Sequence, residues 1–95
     1  MIQDVFVRQL REQISDNDRA IIDGINKRLQ LVATLKRYKE ANGIPLVDPD
    51  REEQMVRYLL RANRGPLSSD ELERIYRELL ELTKREIFDD GDRPS

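Results

Sequence analysis

Arg28 and Lys39 lie eleven residues apart in a stretch whose apolar residues Leu10, Ile14, Ile21, Ile25, Val32 and Leu35 recur with a helical period. Eleven residues turn a helix through about 1100°, within roughly 20° of whole turns, so Arg28, Val32, Leu35 and Lys39 form one strip. Two cations then bracket an apolar floor. Their alpha carbons stand about 16 Å apart along the axis, and two long side chains leaning inward can touch one small anion between them. Each cation alone has an ordinary reading, with its stem on apolar surface and its charge solvated or paired with a carboxylate.

A second polar group continues an apolar face. Asp48, Arg51, Glu52 and Met55 follow an i, i+3, i+4, i+7 pattern, which sets the three polar residues on the face that Met55 directs inward. Asp48 is also a helix cap and Glu52 a favourable charge in a first turn, and a cap can serve as a ligand contact. Thr83 falls on another apolar stripe, where its hydroxyl can bond the carbonyl one turn back. Arg11 precedes Arg28 by seventeen residues, about 25 Å along a helix and roughly 100° around it. One straight helix cannot bring both to one small molecule. If they serve one site, Arg11 comes from a second subunit.

The elements that must position these residues are helices. The run from residue 3 to 40 holds no proline and reads as one rod of about 55 Å. A 95-residue globule has a radius of gyration of only about 13 Å, and the two shorter helices that follow cannot bury both halves of such a rod. A homodimer is therefore expected, with a second copy along the exposed half. Ala41-Asn42-Gly43 and Pro45 end the rod, and residues 43 to 47 connect it to helix 2. Asp48-Pro49 opens helix 2, with Met55, Val56, Leu59 and Leu60 as its apolar face, and Asn63-Arg64-Gly65-Pro66 stops it after about Ala62. Ser68 with Glu71 is a capping-box pattern that starts helix 3 near Ser69. Helix 3 is predicted to run on one face through Leu72, Ile75, Tyr76, Leu79, Leu80, Thr83 and Ile87. The fold class is all-α, with a helical domain over residues 1–90 and a disordered polar tail over 91–95.

Composition narrows the chemistry. The chain has no cysteine and no histidine, so it has no thiolate, no imidazole base and no histidine metal ligand, and a zinc hydrolase is not expected. Its 17 basic and 19 acidic residues leave a net charge of -2, which gives no general affinity for nucleic acid. With no leader pattern and no apolar run near the roughly 18 residues of a membrane span, a soluble, cytoplasmic protein is expected. The apolar content of 38% is low for a core built unaided, which a shared dimer core offsets.

From Leu10 to Ile87 the residues resemble the all-helical chorismate mutases, the AroQ type. The resemblance rests on Leu10-Arg11-Glu12-Gln13-Ile14 with Asp18, on Lys27-Arg28 and Lys39, and most of all on Asp48-Pro49-Asp50-Arg51-Glu52-Glu53. It implies an intertwined dimer of three-helix chains, each of two sites taking one arginine from the other subunit. The implied reaction is the [3,3] rearrangement of chorismate to prephenate in aromatic amino acid biosynthesis, a unimolecular step that needs no cofactor or metal. By resemblance, Arg28 and the partner subunit's Arg11 bind the substrate carboxylates, helped by Thr83, and Lys39 reaches a carboxylate and the ether oxygen. Glu52 and the helix 2 start at Asp48 accept from the ring hydroxyl, and Arg51 completes the charged network.

One position departs from the family pattern. The family has Gln or Glu four residues after the Ser or Thr of helix 3, as a second donor to the ether oxygen, and here Ile87 stands there. Low activity is one expectation, and recruitment of another donor, such as Glu86 on a bent helix 3, is a second. Two alternatives stay open: an isochorismate-pyruvate lyase on the same fold, and a non-catalytic domain or one activated by a partner enzyme of the pathway.

Overall fold

The computed structural model describes residues 4–88. Three α-helices, α1 (Val5–Ala41), α2 (Pro49–Ala62) and α3 (Ser69–Thr83), are followed by a π-helical turn at Lys84–Phe88. No strand occurs among the described residues, so the all-α expectation holds. The 91–95 tail lies outside the described residues.

The chain divides at Leu31 into two compact units. In the first, Asp4 opens α1: its carboxylate accepts from the amides of Phe6 at 2.9 Å and Val7 at 3.3 Å, satisfying donors with no partner inside the helix. Val5, Phe6, Val7, Leu10, Ile14, Ile21 and Ile22 are all exposed, and α1 has no buried residue along its whole length. A helix that displays this many large apolar side chains presents a face made to be covered.

The second unit holds the end of α1, α2, α3 and the π-turn. Helix α1 ends as its Asn-Gly pair predicts: Gly43 adopts φ +66°, and the Ile44 amide donates to the Lys39 carbonyl at 2.9 Å, closing a Schellman turn. Asp48 and Ser68 cap α2 and α3, accepting from the amides of Arg51 and Glu71. Helices α2 and α3 pack together. The Arg77 guanidinium braces them with two bonds to Glu53, at 3.0 and 3.3 Å, and a third to Glu73 at 2.9 Å. Among the described residues only Val56 (2% exposed) and Thr83 (4%) are buried. The described residues of one chain have almost no core.

Arg77 holds the Glu53 carboxyl below its ordinary pKa of 4.5, first through the hydrogen bonds and then through charge. A lowered carboxyl pKa contributes stability above the ordinary value that is lost as pH falls through the folded one. Arg77→Gln is expected to move the Glu53 titration up toward 4.5, read by carbon-detected NMR. A titration that does not move would show that Arg77 does not set it.

One element differs from expectation. Helix 3 does not stay α-helical to Ile87; it gives way after Thr83 to a turn with i→i+5 bonding. The Thr83 hydroxyl donates to the Leu79 carbonyl at 2.7 Å, and the Lys84 amide is shared between the carbonyls of Glu81 and Leu80. Such competition for the last carbonyls bends helices and loosens their ends. The widened turn leaves both Ile87 and Phe88 half-buried, with Arg85 and Glu86 exposed.

Candidate active site

The candidates on α1 differ in exposure. Arg11 is exposed, whereas Arg28 and Lys39 are half-buried. Lys39 also stands in the last turn of α1, where a cation complements the negative end of the helix dipole. Half-buried lysines need partners, because partial burial removes water from the ammonium. Lys36 has one, donating to the Ile87 carbonyl at 2.9 Å and lying 5.7 Å from the Phe88 ring centroid. Lys84 has two, Glu52 at 3.3 Å and Glu81 at 3.6 Å. The Lys39 ammonium has none among the described residues. Its charge is not engaged by a carboxylate among the described residues.

The start of α2 is built as the sequence spacing implies. Asp48 sits in an extended conformation (φ -137°, ψ 94°), and its carboxylate accepts from the Arg51 amide at 3.2 Å. The Glu52 amide donates to the Asp48 carbonyl at 3.2 Å, which sets the Glu52 backbone one turn above the cap. Arg51 projects an exposed guanidinium that makes no ion pair among the described residues, and Glu52 is half-buried against α3.

Thr83 is where the sequence places it, on the buried face of α3, but its proton is committed to Leu79. A hydroxyl in that state accepts; to donate to a carboxylate it must rotate away from the carbonyl. Ile87 is half-buried in the π-turn, and Glu86 is exposed in the single chain.

Two residues that the sequence reading passed over join these parts. Lys84 links Glu52 on α2 to the end of α3, and Lys36 ties the last turns of α1 to the π-turn. Both pairings bring residues together across helix packing. The only part readable as spacing is the i, i+3 relation of Glu81 and Lys84. Lys84's pKa is raised, chiefly by its hydrogen bond to Glu52, so it carries its charge throughout the neutral range. Its stabilising effect is complete below the ordinary value of 10.5 and fades as pH rises through the folded one.

A search against family models matches residues 10–86 to chorismate mutase type II. The chain belongs to that family. Its matched stretch contains every candidate residue except Ile87, which follows it directly. The chain is similar to the T-protein of Haemophilus influenzae, 32% identical over 75 residues that are 78% of this chain and 20% of that protein. It is similar as well to the bifunctional chorismate mutase/prephenate dehydratase of Stutzerimonas stutzeri, 28% identical over 79 residues that are 78% of this chain and 22% of that protein. The chain thus spans about a fifth of the length of these curated relatives. Among solved structures it is similar to the chorismate mutase of Thermus thermophilus, with a TM-score of 0.76, 28% identity and coverage of 81% of this chain and 96% of that one. No described helix is long and apolar enough to cross a membrane.

Proposed function

We propose that this chain is a chorismate mutase that acts as a homodimer and converts chorismate to prephenate without a cofactor. Beside membership of the family, the observation that carries the reading is Lys39: a half-buried lysine whose ammonium has no partner among the described residues, in a chain rich in carboxylates. The rearrangement breaks the ether carbon–oxygen bond and forms a carbon–carbon bond within one molecule. It asks the protein for two things, a compact reactive conformer and stabilisation of charge growing on the ether oxygen.

Each candidate has a role in that scheme. Arg28 and the partner's Arg11 clamp the two carboxylates, with Thr83 assisting after its hydroxyl turns from Leu79. Lys39 reaches a carboxylate and the ether oxygen. Glu52 accepts from the ring hydroxyl beside the cap at Asp48, and Arg51 adds positive charge to the mouth of the site. Fixed cations of this kind attract a dianion to a protein of net charge -2. Dimerisation is supported by the uncovered apolar face of α1 and by a chain with only two buried residues among those described.

Ile87 lines the site where a second donor to the ether oxygen is absent. Donors of that kind are worth about 2.7–4 kcal/mol in comparable sites, so a chain relying on Lys39 alone is expected to turn over slowly. Ile87→Gln should raise kcat by about tenfold or more, less than the full value because the π-turn was not shaped around an amide. A kcat that is unchanged or lower would mean that Ile87 does not face the ether oxygen.

The test of the function is a turnover assay on the purified chain, following chorismate disappearance and identifying the product. Prephenate is the expected product. Salicylate and pyruvate from isochorismate, with no prephenate from chorismate, would establish the lyase in its place. No turnover by an intact dimer would indicate a domain that needs a partner enzyme or does not catalyse.

A further inference from the structure

The groove between α2 and α3 contains three carboxylates, Glu52, Glu53 and Glu81, and two cations, Arg77 and Lys84. Arg77 is already engaged, with both Glu53 oxygens and with Glu73. Lys84 is therefore the cation left for Glu52, and it stands 3.3 Å from it. It approaches from the first residue of the π-turn, directly after the buried Thr83. We propose that Lys84 is a positioning residue for chorismate binding, which holds the Glu52 carboxylate in place and offsets its charge so that it can accept from the substrate ring hydroxyl. This deepens the functional reading above and rests on it.

The physical need is specific to this substrate class. A carboxylate that must contact a dianion repels it, and one that is free to rotate spends part of its time away from the hydroxyl. An ammonium at hydrogen-bond distance counters both effects without touching substrate. Glu81, 3.6 Å from the same ammonium, holds Lys84 from the other side, so the cation is held between two acids of different helices. Lys84 and Glu52 are partly exposed, with side-chain accessibilities of 41% and 27%, so the pair adds little to stability and its consequence is expected in binding.

The bond to the ring hydroxyl is present before and during the rearrangement, so weakening it acts on binding more than on the chemical step. Lys84→Gln should raise KM for chorismate by about 3- to 10-fold while kcat stays within about twofold. Lys84→Arg, which keeps the charge, should recover most of that loss. In a Glu52→Gln background, Lys84→Gln should change KM by less than about twofold, because its effect runs through the carboxylate. A structural role gives the opposite split: fewer folded active sites lower apparent kcat and leave KM alone. That pattern would overturn the proposal, as would equal effects of Lys84→Gln with and without Glu52. If Lys84→Gln folds poorly, Lys84→Arg and Glu81→Gln decide: unchanged KM in the first and at most a small rise in the second are expected, and a large KM rise in the first overturns it. Failure of the unchanged protein to turn over chorismate would instead remove the functional reading itself.

Discussion

Lys39→Ala is expected to lower kcat/KM for prephenate formation by about 10²- to 10³-fold or more, the loss seen when a donor to a developing oxyanion is removed. The loss should exceed what an ordinary exposed lysine would give, for two reasons. Lys39 is half-buried and its ammonium has no carboxylate partner among the described residues, so its charge is available to the substrate. On the proposed reading Ile87 stands where the family has its second donor, so Lys39 does not share the work with an amide at that position. The effect is separable from folding, since alanine is the strongest helix former and Lys39 contributes to α1 only as a cation in the last turn, worth about 0.3–1 kcal/mol. Circular dichroism and a denaturation midpoint close to the unchanged protein, together with lost turnover, are the expected pair of results. Arg28→Ala should fall in the same assay with a larger share in KM, because a carboxylate clamp acts before the bond breaks. A Lys39→Ala protein with near-normal turnover would show that Lys39 does not stabilise the charge growing on the ether oxygen.

The helices were legible because local signals agree with one another. Asp48-Pro49, the Ser68–Glu71 pair and Asn42-Gly43 each state a boundary in backbone chemistry, and Asp48, Ser68 and Gly43 do in the structure what those signals require. Helical phase accounts for the strip of α1 only in part: Arg28, Val32 and Lys39 are half-buried, but Leu35 between them is 49% exposed. Phase fails where the helix changes type. The π-turn at Lys84–Phe88 arises from competition among Thr83, Lys84 and their carbonyl acceptors, and no apolar spacing encodes it. Lys84 and Lys36 were invisible for a related reason: each acts across packed elements, on Glu52 and on the Ile87 carbonyl, and a single sequence carries no record of which helices meet.

The exposed face of α1 gives the site its most demanding test. Arg11 and Arg28 stand seventeen residues apart on one helix, so a site that uses both must take Arg11 from another chain. Arg11→Ala and Lys39→Ala homodimers should each be close to inactive. Mixed at equal amounts, unfolded and refolded together, half of the dimers should carry one chain of each kind. In such a dimer one site receives an intact Arg11 from one chain and an intact Lys39 from the other, and the second site lacks both. Half of the sites in half of the dimers are restored, so the mixture should recover about a quarter of the activity of the unchanged protein. The recovered fraction should show the unchanged protein's KM, since a restored site is chemically whole. Rescue near this level depends on exchange of subunits and is lost if the proteins are mixed without unfolding and do not exchange. If Arg11 and Lys39 served the same chain's site, both sites of every mixed dimer would lack one cation, and refolding would recover nothing.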